Sequence, residues 1–510
     1  MSSTNGNSNG NGKHGVVPSK FLYDDLREWL VQAERLGEVR HVHGASWQED
    51  IGLAAEAVER HDNGPCVVFD QVPGSPPNFR VLLNMFAGQR KNMTLGFPDH
   101  LTKTQLSEAY RVAYLEKPSP IPHKIVATGP VLENVLEGDD IDVTKFPTPI
   151  WHPKDGGRYI GTGTYSISQD PDEKWYNAGA YRAMVIDKKT VTIVMARGHH
   201  GAIHRDKYFE RGEKMPVVMV LGGDPMGFFY GGIEAPYGEF ELDIVGGIRG
   251  KAVEMVTGKH TGLPFPANAE IVLEGFVSAD HFENEGPFGE WTGHYAGGVG
   301  GRPMYALDIK AIYHRNDPIL LGVPPMGGGP DEMARYRAVM RSAIIKQNMT
   351  NAGVPNVKQV WCHEVGAARM LHGVSITQKY PGHSIQAGHI AAQCGASAYA
   401  SKYIVVCDDD VDVSNLDNLI WAMLTRTDPK VSIQFIEGSW DSRADPSLTP
   451  EKRAAQNWTH SVAVIDACRP YTWRDKFPET NAASPEDAKK ALDKFGWLLD
   501  PSKASGPAKV

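Results

Sequence analysis

Two short stretches carry residue types and spacings that could do chemistry. The first is Asn177-Ala178-Gly179-Ala180-Tyr181-Arg182, followed by Arg197-Gly198-His199-His200. Residues 187–190 have the composition of a hairpin turn, which would make the flanking strands antiparallel neighbours and bring Asn177 and His200 to one rim. Asparagine oxygen and imidazole nitrogen are both ligands for a divalent metal, and a carboxylate would complete such a set. A histidine pair in a glycine-rich turn also reads as surface or capping material. The second stretch is Glu283-Asn284-Glu285-Gly286-Pro287-Phe288-Gly289-Glu290. Glycine and proline place Glu285 and Glu290 on a turn where two carboxylates can converge. An arginine between them would hold one ionised and leave the other to exchange protons, an arrangement suited to general acid work. The bland reading is two exposed glutamates on a polar loop. A third acidic run, Asp408, Asp410 and Asp412, begins like a calcium loop but lacks its glycine and follows a strand, so a solvated strand end is expected there.

Several other chemistries lose support. The chain has no G-x-x-x-x-G-K-[ST], no strand–G-x-G-x-x-G–helix, no H-E-x-x-H and no G-x-S-x-G. With 61 acidic against 52 basic side chains and a net charge of −9, a nucleic-acid footprint or polybasic membrane patch is disfavoured. The five cysteines are scattered without a C-x-x-C pair, which fits a reducing cytoplasm and argues against a disulfide framework or a thiolate zinc site. No stretch approaches the length of a membrane span.

The 510 residues suffice for three to four domains. A Ser/Asn/Gly-rich tail is expected over 1–18, and an N-terminal α/β region over 19–124. There Ser19 is a cap candidate for a helix carrying Leu22, Leu26, Trp29, Leu30 and Ala33, with Gly37 as its stop. From 125 to 325 short β-rich segments (159–162, 182–186, 191–195, 217–220, 271–273 and 305–309), punctuated by glycine and proline, read as a barrel or curled sheet. A linking helix is expected within 326–355, α/β alternation over 356–470, and a helix opening at Ser484-Pro485 in a terminal segment 471–510.

Taken together, these residues resemble the UbiD-family decarboxylases. The resemblance rests on Asn177 to Arg182 with His200, on Glu241 in Glu241-Leu242-Asp243-Ile244-Val245-Gly246-Gly247, and on Glu285-Gly286-Pro287-Phe288-Gly289-Glu290. It continues through Gln378-Lys379-Tyr380-Pro381-Gly382-His383, the run from Lys402 to Asp410, and Trp421-Ala422-Met423 with Thr425-Arg426, covering the chain from Tyr23 to Pro470. It implies an α+β fold: an N-terminal α/β segment, a split β-barrel flavin-binding domain, a linking helix and a C-terminal α/β oligomerisation domain, assembled as a homodimer or homohexamer. The implied cofactor is prenylated FMN, supplied by a UbiX-like prenyltransferase, with Mn2+ (or Mg2+) and K+ at its phosphate. Asn177, His200 and Glu241 match the metal ligands, and Ala180, Tyr181, Arg182 and His199 join them around the cofactor. Arg182, Glu285 and Glu290 match a catalytic network in which Arg182 holds the substrate carboxylate, Glu290 protonates the carbon vacated by CO2, and Glu285 orients the arginine.

The expected reaction is reversible, non-oxidative decarboxylation of an aromatic, heteroaromatic or α,β-unsaturated acid. A tilt toward a free aromatic acid, rather than a polyprenylated hydroxybenzoate, comes from resemblance to the branch carrying Ser442-Arg443-Ala444-Asp445-Pro446-Ser447. Rival readings are a non-catalytic cofactor-binding or assembly protein of the same fold, and a flavin-free Mn2+ hydrolase. The basic residue expected near the phosphate in the C-terminal half is not found within 393–401.

Overall fold

The computed structural model describes residues 19–233, 235–296, 301–481 and 483–499. The tail expected over 1–18 lies outside them, as does the end of the 471–510 segment. The chain divides at Cys468 into one large compact unit and a small one beginning at Arg469. The small unit contains the helix Pro485–Phe495, capped by Ser484, whose hydroxyl accepts from the Asp487 amide at 3.1 Å.

The large unit is a mixed α/β fold. Its first helix, Leu26–Arg35, buries Leu26, Trp29, Leu30 and Ala33 on one face. The cap is Asp25 rather than Ser19: the Asp25 carboxylate accepts from the Glu28 amide at 2.8 Å and pairs with Arg315 at 2.8 Å, while Leu22 is exposed. The N-terminal sheet runs Val39–His43, Cys66–Asp70, Arg80–Leu83, Ile319–Gly322. Its fourth strand thus returns from the far end of the region expected to be a barrel.

That region holds a seven-stranded sheet in the order Asn134–Glu137, Arg302–His314, Ile271–Glu285, Met215–Val220, Tyr165–Gln169, Tyr176–Gly179, with Thr190–Thr192 paired to Arg302–His314. Its pairings are antiparallel, and its end strands do not pair with each other among the described residues, so the sheet is open rather than a closed barrel. The two longest strands, Ile271–Glu285 and Arg302–His314, form its spine, with register shifts at 274/275 and between 277 and 282.

Segments 159–162 and 182–186 are not strands. They meet each other instead, through reciprocal amide bonds between Gly161 and Ala183 (3.1 and 3.3 Å), and only Val185 makes a β-bridge, to Val191. The turn at 187–190 is present: Ile186 and Asp187 both donate to the Thr190 carbonyl. Bonds from Val194 to Arg182 (3.1 Å) and from Thr192 to Met184 (2.9 Å) keep the two arms side by side.

The helix Glu332–Asn351 is capped by Asp331 and buries 13 of its 20 residues, a core helix rather than an amphipathic one. The C-terminal sheet runs Val357–Cys362, Leu371–Ile376, Tyr403–Asp408, Thr459–Ala467, Ile433–Trp440, with its three middle strands mutually parallel. Asp408, expected at a solvated strand end, is buried. It accepts from Gln378 at 2.7 Å and faces Arg426 at 3.5 Å, so a cation from the following helix Leu416–Arg426 offsets its desolvation.

Candidate active site

One cavity of roughly 1030 Å³ opens between the seven-stranded sheet, the helix Glu332–Asn351 and the loop after Ile433–Trp440. Asn177, Ala180, Tyr181, Arg182, His199, His200, Glu241 and Glu290 all border it, whereas Glu285 lies behind its wall.

Glu285 is the last residue of its strand. The chain then turns sharply at Gly286, whose φ of +100° disfavours a side chain. That turn swings Phe288 and Glu290 back past the strand end, so Arg182 sits between the two carboxylates. Arg182 donates through Nε (2.8 Å) and Nη2 (3.1 Å) to the two oxygens of Glu285, and through Nη1 (2.6 Å) to Glu290 Oε1. Glu285 is fully engaged, because Tyr159 also donates to its Oε1 at 2.9 Å. Glu290 is held by one oxygen only, and its Oε2 makes no hydrogen bond among the described residues. Phe288 backs the guanidinium at 4.6 Å and packs on Tyr159 at 4.3 Å. Burial alone would depress the Arg182 guanidinium, but Glu290 and then Glu285 outweigh it and hold it above its ordinary value. Burial and the neighbouring Glu285 likewise push the Tyr159 hydroxyl up, keeping it a donor.

The second cluster assembles around Tyr181. Its ring is clamped between Gly179 and Gly201, where a Cβ would fall 2.4 and 2.6 Å from ring or hydroxyl atoms. Its hydroxyl donates to Asn177 Oδ1 (3.2 Å) and accepts from the Gly201 amide (2.9 Å). Asn177 Nδ2 donates to Glu241 Oε1 at 2.9 Å, and the Ala178 amide donates to Oε2 at 2.6 Å. Glu241 opens the helix Glu241–Arg249 and is buried with no lysine or arginine against it, so desolvation pushes its carboxyl up to about 8.

His200 is placed differently from the expectation. Rather than ending a strand, it is the first residue of the helix His200–Glu210, because Gly198 (φ +93°) breaks the extended run after Thr192. Its ring lies against Trp175 at 5.1 Å and Tyr237 at 5.7 Å. His199 caps the same helix and meets Tyr399 (5.1 Å) and Trp440 (5.6 Å) across the cavity.

Sequence reasoning passed over several residues. The sequence marks Tyr159 only as strand material. Arg302 and Arg337 border the cavity, and Arg337 is buried with Nε and Nη1 unbonded; Arg443, in the Ser442–Ser447 stretch noted above, borders it as well. An isolated arginine in a strand or helical pattern carries no signal that would separate it from surface arginines.

A buried arginine forked between two carboxylates, beside a second acidic cluster on the same cavity, has the donors to hold a carboxylate and an acid to exchange a proton. Residues 124–328 match the 3-octaprenyl-4-hydroxybenzoate carboxy-lyase Rift-related domain (UbiD), and residues 336–467 match the C-terminal domain of the same carboxy-lyase. A pyrrole-2-carboxylic acid decarboxylase of Pseudomonas aeruginosa is 31% identical over 424 residues, covering 79% of this chain and 83% of that one. The closed-form structure of vanillic acid decarboxylase from Sedimentibacter hydroxybenzoicus superposes with a TM-score of 0.81 at 26% identity, covering 94% of this chain and 100% of that one. An evolved dimeric form of the UbiD-class enzyme HmfF from Pelotomaculum thermopropionicum, solved with prFMN, shares the fold at a TM-score of 0.77 and 24% identity, covering 93% and 99% of the two chains. This chain belongs to the UbiD family.

Proposed function

We propose that this protein is a UbiD-type carboxy-lyase that decarboxylates an aromatic or heteroaromatic acid, reversibly and without an oxidant, using prenylated FMN. One observation carries the reading: Arg182 is fixed by both oxygens of Glu285 while Glu290 is held by one oxygen, which separates an orienting carboxylate from a proton-carrying one. The similarity to decarboxylases of pyrrole-2-carboxylic and vanillic acids supports the substrate class.

The residues fit the cofactor and its cations. Asn177, His200 and Glu241 offer oxygen and imidazole donors without a thiolate, suited to Mn2+ or Mg2+. The buried Glu241 carboxylate has no lysine or arginine to offset its charge, a deficit that a divalent ion would fill. Arg337, buried and only partly bonded on the same cavity wall, supplies the positive charge for a phosphate, in the role sequence reading sought within 393–401. K+ would join at the same phosphate, and Ala180, Tyr181 and His199 complete the cofactor's surroundings. A UbiX-like prenyltransferase supplies the cofactor. A cytoplasmic homodimer or homohexamer is the state we assign. All five cysteines are free, and no helix among the described residues is long and apolar enough to cross a membrane.

What the prenylated flavin supplies when bound is a sink for the electron pair left on the ring carbon as CO2 departs. The rest falls to this chain. Of the five N–H donors of Arg182, three are spent on Glu285 and Glu290, leaving two for an entering carboxylate. Glu285 and Tyr159 hold the guanidinium plane as the charge on that carboxylate disappears. Glu290, with Oε2 unbonded, delivers a proton to the vacated carbon and in reverse removes it. A non-catalytic binding protein would have no use for this buried network. The reading is tested by co-expression with a prenyltransferase and a panel of aromatic acids. CO2 release that requires the flavin absorbance supports it, and release independent of that absorbance rejects the cofactor.

A further inference from the structure

Three arginines meet at the end of the cavity where Glu290 lies, and the network described above uses one of them. Arg302 stands directly opposite Glu285 in the register of the two long strands. Arg443 lies on the loop after Ile433–Trp440, and both border the cavity together with Arg182 and Glu290. Neither guanidinium makes a hydrogen bond or ion pair among the described residues, and Arg443 Nε is buried without an acceptor. The three groups feel one another: burial and then the charges of Arg302 and Arg182 push the Arg443 guanidinium down to about 10, and burial and then Arg182 push Arg302 down as well.

Solvated surface arginines extend into water, but these two are half-buried, and the loop carrying Arg443 is clamped. Arg453 donates to the Arg443 carbonyl at 3.0 Å and to that of Asp445, Thr292 donates to the Ala444 carbonyl at 3.1 Å, and Lys402 pairs with Asp445 at 2.7 Å. The guanidinium is therefore presented by a fixed backbone. Three guanidinium charges face two carboxylates. One positive charge is left over when both glutamates are ionised, and two when Glu290 carries the proton it is to deliver. A monocarboxylate at Arg182 would cancel one of these.

We propose that Arg302 and Arg443 recognise a second carboxylate, so that the substrate is an aromatic dicarboxylic acid losing only the carboxylate held by Arg182. The forked donors of arginine match a carboxylate better than a hydroxyl, and Phe288 and Trp291 offer apolar cavity surface for the ring between the two ends. The balance needs no further reactant. The bond from ring carbon to the first carboxylate breaks, CO2 leaves, the carbon takes a proton from Glu290, and the second carboxylate is retained. The inference rests on the decarboxylase reading above, but it can be tested apart from it.

Calorimetric titration of the full-length protein, isolated after co-expression with a prenyltransferase, compares benzene-1,3- and benzene-1,4-dicarboxylate with benzoate and 4-hydroxybenzoate. At least one diacid binds roughly tenfold or more tighter than benzoate, as added charge-assisted contacts imply. In Arg302→Gln and Arg443→Gln the ratio falls to within about threefold. Equal affinities in the wild-type protein, a ratio unchanged in both variants, or 4-hydroxybenzoate binding as tightly as the better diacid would each overturn the proposal. If a glutamine variant does not fold, the lysine variants, which keep the charge but lose the fork, carry the comparison. CO2 release is measured on the same samples. Release from monoacids without diacid preference removes this inference and keeps the decarboxylase; diacid preference without release from any acid does the reverse.

Discussion

Glu290→Gln exchanges the proposed proton carrier for a side chain of the same shape. The glutamine oxygen can still accept from Arg182 Nη1, where the carboxylate accepts at 2.6 Å, and Arg182 stays forked on Glu285 with Phe288 at 4.6 Å behind it. What is lost in binding is the charge-assisted part of one hydrogen bond, about 1 kcal/mol, so substrate affinity should change by no more than about fivefold. What the proposed role puts at stake in chemistry is the general acid, typically about 10²- to 10⁴-fold, or about 3–5 kcal/mol of barrier. Glu285→Gln acts differently. It breaks the two-point hold on Arg182 and weakens the acceptor for Tyr159, so kcat falls and KM rises together, with the fall in kcat smaller, about tenfold. The assay is single-turnover CO2 release from cofactor-loaded protein, with cofactor content read from flavin absorbance. A Glu290→Gln rate within threefold of wild type, or a larger loss in Glu285→Gln, would refute the division of roles.

Further expectations concern the scaffold. In Gly201→Ala the new Cβ would lie 2.6 Å from the Tyr181 hydroxyl, so Tyr181 must leave Asn177. The flavin-to-protein ratio should fall below about half, with a stability loss of about 1–3 kcal/mol, and undiminished flavin content would count against the Tyr181–Asn177 link. Burial, followed by the charges of Arg341, His363 and Arg369, pushes the His372 imidazole down to about 3. The unfolded chain therefore binds the extra proton between pH 6.5 and about 3, and stability falls as pH drops below 6.5, by about 2 kcal/mol at pH 5. Urea unfolding should show this slope in the wild type and a shallower one in His372→Gln; equal slopes would reject it. Asp331→Ala removes the carboxylate that accepts from the Ala334 (2.6 Å) and Met326 (2.9 Å) amides, and should cost about 1–2 kcal/mol in the same assay.

Parts of the site were legible because they depend on local spacing. The turn at Gly286-Pro287 brings Glu285 and Glu290 around Arg182, and the 187–190 turn keeps the arms of Arg182 and Val194 together. The helix opening at Ser484-Pro485 was legible for the same reason, its start marked by the cap. What depended on distant pairing was not. The facing of Arg302 and Glu285 follows from a 15-residue strand with two register shifts, and each shift moves a side chain across the sheet without a mark in the hydrophobic pattern. The place of His200 turned on Gly198 ending an extended run, which a period-two pattern through residue 195 did not reveal. The open sheet, and the N-terminal sheet completed by Ile319–Gly322, follow from pairings 174 or more residues apart, and Arg426 could neutralise Asp408 only once its helix folded back on the strand.

Decarboxylation in deuterium oxide, followed by mass spectrometry and NMR of the product, decides the main point. With cofactor-loaded protein and an aromatic acid that is turned over, each CO2 released should leave one deuterium on the carbon that bore the carboxylate, with no dioxygen consumed, and Glu290→Gln should slow release and labelling together. A product oxygenated at that carbon, CO2 release that consumes dioxygen, or deuterium arriving at the wild-type rate in Glu290→Gln would contradict a non-oxidative lyase whose proton comes from this side chain.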